Sequence, residues 1–162
     1  MEREARKNFV LDINKKVNEY VHGKGLFCGG CCYAAYILAD IFERTGVKYD
    51  VLLFQAYGTV DERDFYAAVA GECDHVAIDV RIGRKHFVIG DYSKIMDYYD
   101  RFRVKHAIRR YKGITPKMLL NAYVWNEWNC LYDASNNSAF SRSLNKIAAK
   151  YDEGAQTLRK AA

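Results

Sequence analysis

The sequence predicts an α+β domain in which amphipathic helices pack on an antiparallel sheet. Three observations carry that prediction. Apolar residues recur at helical spacing through the first 45 residues, and short β-branched segments joined by glycine turns fill the middle. Helical patterning then returns after Pro116, and the strands follow one another instead of alternating with helices. The chain has 162 residues, half of them hydrophobic, with 13 Tyr, 8 Phe and 2 Trp, which is enough to bury one core. One proline and no Gly/Ser-rich run leave no visible linker, so 1–162 is read as a single domain.

The elements follow in order. Phe9, Val10, Ile13, Val17 and Val21 mark an amphipathic helix over 3–21, with Gly23 expected to stop it in the left-handed conformation. A glycine loop, Leu26 to Gly30, leads into a second helix from Cys31 to about Thr45, which Gly46 terminates. Tyr49–Tyr57 is β-branched and aromatic and reads as a strand, and 60–70 as a short helix or surface excursion. From His75 to Ile82 the pattern alternates, with Val76, Ile78, Val80 and Ile82 on one face and His75, Ala77, Asp79 and Arg81 on the other. Gly83-Arg84 turns the chain into a partner strand, His86–Ile89. Residues 101–111 alternate weakly as a further antiparallel strand. Pro116, capped by Thr115, opens a helix to about Leu131, and a last helix spans 136–160.

No run approaches the roughly 18 apolar residues of a transmembrane helix. Met1–Lys7 carries two acids with no apolar stretch behind it, so a secretory signal is not expected there. The five cysteines are an odd number, and Cys28, Cys31 and Cys32 are crowded together, a poor disulfide framework. The expectation is a cytoplasmic protein whose thiols serve chemistry, metal or packing. Charge is uneven: residues 1–100 balance at −3 and residues 101–162 at +8. That basic third is a candidate surface for an anionic partner.

The feature that carries chemistry is a cysteine placed where a glycine loop becomes a helix. Unpaired N–H groups and the positive end of the helix dipole favour a thiolate there, and the same N–H groups can hold an oxyanion. Such a nucleophile needs a histidine to take its proton and a third group to orient the histidine. His75 opens a strand 43 residues after Cys32, and Asp91 follows the partner strand 16 residues later. Pairing around Gly83 brings His75 and Asp91 to neighbouring strand ends, where the acid can fix the histidine tautomer.

Gly29-Gly30-Cys31-Cys32-Tyr33, His75-Val76-Ala77-Ile78-Asp79-Val80 and Phe87-Val88-Ile89-Gly90-Asp91-Tyr92 together resemble the transglutaminase-like branch of the papain-like superfamily. The Gly29-Gly30-x-Cys32 spacing is also similar to that of arylamine N-acetyltransferases. The resemblance covers about residues 26–92, the expected catalytic core, with 101–162 as a basic strand and helical extension. It implies a papain-like fold and a thiol-dependent acyl-transfer enzyme, either a cysteine peptidase or amidase or a transglutaminase-like acyltransferase. The triad would be Cys32, His75 and Asp91, the intermediate a thioester and the substrate a protein or peptide amide or ester, with no cofactor or metal. Helix-start geometry admits Cys31 or Cys32, and Cys32, followed by Tyr33, matches better. His86 is the alternative base, and Gln55 a candidate oxyanion donor.

Two other readings stand beside this one. Cys28-x-x-Cys31 has zinc-ligand spacing, and Cys73 and His75 supply two further ligands, which makes a zinc-binding domain. Alternatively the fold is catalytically inactive and binds an anionic partner through Arg101, Arg103, Lys105, Arg109, Arg110 and Lys112. Cys73 and Cys130 are expected as inert core thiols, His22 and His106 as surface residues, and Trp125 and Trp128 as core or rim.

Overall fold

Five helices and a four-stranded sheet make up most of the computed structural model, which describes residues 2–24, 30–56, 64–70, 73–90, 106–123 and 138–160. Among them α1 spans Arg3–Gly23, α2 Gly30–Thr45, β1 Tyr49–Ala56, α3 Phe65–Ala70, β2 Cys73–Ile82, β3 Lys85–Ile89, β4 His106–Tyr111, α4 Pro116–Tyr123 and α5 Ala139–Lys160. The architecture is α+β. The sheet is antiparallel throughout, in the order β3-β2-β1-β4.

Helix α1 forms because its apolar residues fall on one stripe. Phe9, Val10, Ile13, Val17 and Val21 are all fully buried, each worth roughly 1.5–3 kcal/mol for its transfer from water. Its end differs from the expected one. Gly23 is still helical, and Lys24, at φ −88°, keeps its N–H on the Tyr20 carbonyl at 3.1 Å, so no left-handed residue is needed. Helix α2 is buried nearly all round, through Tyr33, Ala34, Ala35, Ile37, Leu38, Ala39, Ile41 and Phe42, and it packs against α1, the sheet and α4. Its alanines let these neighbours approach closely. Gly46, at φ 68°, ends it as expected: the Val47 N–H reaches the Phe42 carbonyl at 2.9 Å and the Gly46 N–H the Glu43 carbonyl at 3.3 Å, a Schellman arrangement.

The sheet separates two apolar clusters. Val51, Leu53, Val76, Ile78, Val80, Ile82, Ile89 and Tyr111 join the helices in the main core, so the alternation of β2 has the expected face inward. Leu52, Phe54 and Ala77 form a second cluster with Val88 and Ile108. The β2–β3 hairpin turns at Gly83, φ 65°, with Ile82 opposite Lys85 and Ile78 opposite Ile89. The β1–β2 register shifts between Phe54 and Gln55, beside His75.

Side-chain caps start the remaining helices. Asp64 accepts from the Ala67 N–H at 2.9 Å, Thr115 from Met118 at 3.2 Å and Ser138 from Ser141 at 3.1 Å. Thr115 and Pro116 thus play the predicted roles, and α5 begins after Ser138, slightly later than its pattern suggested. Phe140 stacks on Tyr20 at 3.7 Å between ring centroids, and Tyr151 donates to Asp12 at 2.6 Å, which holds α5 against α1. Residues 101–105 and 124–131, predicted as strand and helix, lie outside the described residues. Among the described residues no helix is long and apolar enough to cross a membrane.

Candidate active site

The first turn of α2 meets the start of β2, and this junction brings a thiol to a histidine. The thiol is that of Cys31. Its sulfur lies 3.8 Å from the Cys32 sulfur and close enough to the His75 side chain and the Val76 N–H for both to favour its charged form. Successive helical residues point about 100° apart, so only one of the two cysteines can face the strand. Cys32, the better match in the sequence, is the neighbour of that thiol, and both cysteines are half-buried and outside any disulfide.

The environment favours the Cys31 thiolate strongly, lowering its pKa from the ordinary 9.0 to about 4. The largest cause is the hydrogen bond from Cys32, and burial opposes it. The His75 side chain adds a hydrogen bond and its charge, and the Val76 N–H a further bond. These are the causes that make a cysteine nucleophilic near neutral pH. Tyr33, the aromatic beside the pair, points into the helical layer, where its ring meets those of Tyr20 and Tyr36.

His75 is 6 % exposed and lies edge-on to Phe54, with ring centroids 5.4 Å apart. Phe54 is fully buried, so one flank of the imidazole is apolar and fixed. Asp91, the expected orienting acid, lies outside the described residues, as do Cys28, Cys130, Arg101, Arg103, Lys105, Trp125 and Trp128. The same holds for the side chains of Gln55, Cys73 and His106. Gly90 packs against Ala77 and Val76, and its carbonyl accepts from Asn18 of α1 at 2.7 Å.

Asn18 is a residue the sequence reading passed over. It is 4 % exposed, and its amide nitrogen also reaches the Asn14 backbone and side-chain oxygens at 2.8 and 3.1 Å. Two buried asparagines one turn apart on an otherwise apolar stripe were the available signal, because a buried amide must find partners. Asp79 was likewise missed as a charge centre. Its side chain, 1 % exposed, pairs with His86 Nδ1 at 2.9 Å and with Arg110. His86, the alternative base, therefore serves a different carboxylate from the other half of the hairpin.

The zinc reading draws on four residues, of which Cys31 and His75 meet. Among the described residues, no group of three or more His, Cys, Asp or Glu is placed to hold a metal ion. Of the basic set, Arg110 is committed to Asp50 and Asp79, and Arg109 is half-buried. No family model, curated protein or solved structure matches this chain.

Proposed function

We propose that this protein is a thiol-dependent acyl-transfer enzyme of papain-like, transglutaminase-like type, with Cys31 as its nucleophile and His75 as its base. The observation that carries the reading is the Cys31–His75 contact at a helix start, with the Cys31 thiol lowered to about 4. The Cys31 sulfur attacks the carbonyl carbon of an amide or ester, and an S–C bond forms. The proton lost by the thiol passes through His75 to the leaving nitrogen or oxygen as its bond to carbon breaks. N–H groups of the first turn of α2, around residues 31–33, stabilise the oxyanion. A second acceptor then attacks the thioester, gives its proton to His75 and releases the Cys31 thiolate. Water as acceptor makes a peptidase or amidase, and an amine makes a transferase. Cys32 supplies a hydrogen bond to the nucleophile in place of the attacking sulfur, and Asp91 orients His75.

Turnover of an activated aryl ester and of a peptide thioester, with water or glycine amide as acceptor, tests this. Cys31→Ala should abolish turnover and His75→Ala should reduce it by about 10²–10⁴, while Cys32→Ala retains measurable rates. Full activity in Cys31→Ala with none in Cys32→Ala would transfer the role to Cys32. Full activity in both, or stoichiometric zinc removed together with the activity, would overturn the mechanism.

A further inference from the structure

At the far end of β2 from His75 lies a second cluster of charge and the cavity it lines. Arg81 is six residues along the strand from His75, a distance of about 20 Å, so this region is separate from the thiol. The cavity has a volume of about 690 Å³, within the general range of small-molecule pockets of roughly 300–1,000 Å³. At its base is the Asp79 carboxylate, which receives His86 Nδ1 on both oxygens, at 3.1 and 2.9 Å, and Arg110 Nη1 on one. Arg110 Nη1 also reaches Asp50 on β1 at 3.2 Å, and Arg81 stands directly opposite His86 across the hairpin.

An ion-pair network that served only to neutralise Asp79 would need one cation. Here four Lys or Arg side chains and His86 line the cavity against three carboxylates, and Asp50 and Asp79 are already engaged. His86 is 46 % exposed and Arg110 38 %. Each is fixed by the buried acid through one nitrogen and, being part-exposed, carries further ring or guanidinium nitrogens that can donate to a ligand. Arg81 adds an exposed guanidinium beside them. Tyr49, half-buried, gives the same cavity an apolar edge, with Val47 and Ile114 packed in the main core behind it.

We propose that this cavity binds a small ring-bearing phosphate monoester. Arg81, His86 and Arg110 hold the phosphate, and the Tyr49 ring flanks the ring of the ligand. Asp79 is the positioning residue that fixes two of the three donors. Guanidinium and imidazole donors suit a tetrahedral dianion, because hydrogen bonds between charged partners are the strong ones.

The test is a titration of the full chain with phenyl phosphate, and separately with inorganic phosphate, followed by backbone amide shifts. Saturable shifts at residues 79–86 and 110–114 are expected, with phenyl phosphate the tighter ligand. Arg81→Gln and His86→Gln should each weaken phenyl phosphate about tenfold, the loss of one charge-assisted hydrogen bond. Neither change removes the Asp79–Arg110 pair, so both variants should keep the fold. Cys31→Ala should bind as the wild type does, which separates this site from the thiol. No saturation up to about 10 mM, or wild-type affinity in both variants, would overturn the proposal. Equal affinity for the two ligands would overturn the assignment of the apolar side.

Discussion

Alkylation of the native protein by iodoacetamide across pH 5 to 9, followed residue by residue, reads the Cys31 environment directly. At pH 6 a thiol that titrates near 4 is about 99 % thiolate, whereas one at the ordinary 9.0 is about 0.1 %. Labelling of Cys31 should therefore be nearly flat with pH, while an unperturbed cysteine gains about tenfold per unit over the lower part of that range. The thiolate is also less nucleophilic per molecule because its pKa is low, so the signature is the flat profile and not an extreme rate. The variants separate the causes. The Cys32 hydrogen bond is the largest single lowering influence and His75 acts through both a hydrogen bond and its charge, so Cys32→Ala and His75→Ala should each move the Cys31 midpoint up, and Cys32→Ser, which keeps a donor, should restore part of the shift. A Cys31 profile that climbs tenfold per unit in the wild type would refute the reasoning. So would a midpoint indifferent to both variants.

The same depressed value links stability to pH. The folded state holds the proton less tightly than the unfolded one, so the Cys31 contribution is complete above pH 9.0 and is lost as pH falls towards 4. Urea unfolding should show stability rising with pH across that window, with a flatter profile in Cys31→Ala. At the second cluster, Arg110→Met should cost more than Asp79→Asn. Removing the cation leaves a carboxylate that is 1 % exposed with His86 alone, and because Arg110 is itself 38 % exposed the loss should be about 1–3 kcal/mol, below that of a fully buried pair. Asp79→Asn removes the buried charge itself and should cost about half as much. Gly46→Ala and Gly83→Ala, at φ 68° and 65°, should each lose about 1 kcal/mol by chemical denaturation. An added Cβ meets nothing within 4 Å at Gly46, and at Gly83 the end of the Arg3 side chain, which can move aside.

Most of the fold was legible because its elements have strong periods. The stripe Phe9 to Val21 and the alternation Val76 to Ile82 each specify one buried face, and both lie in the main core. Gly46, Gly83, Thr115 and Pro116 mark their boundaries through φ preference and capping, which are local properties. Gly23 misled because a glycine can remain helical when the next residue, Lys24, still finds a carbonyl. The site was legible as a junction and not as a pair of atoms. Spacing placed a cysteine pair at a helix start and His75 at a strand start. Which sulfur turns toward the strand depends on the rotation of α2 about its axis, and that is set by burial of Tyr33, Ala34, Ile37 and Leu38 against several partners at once. The Asn18–Gly90 and Asp79–Arg110 contacts join residues 72 and 31 positions apart, across different elements. No local pattern encodes such pairings.

Central to this account is an acyl group carried by Cys31 with the help of His75. Brief reaction of the whole protein with an activated aryl ester, acid quenching and peptide mass mapping tests it most directly. One hydroxylamine-labile acyl group is expected on Cys31, forming far more slowly in His75→Ala and persisting in Cys32→Ala. An acyl group on Cys32 with Cys31 unmodified, or none on either cysteine while the ester is turned over, would contradict it.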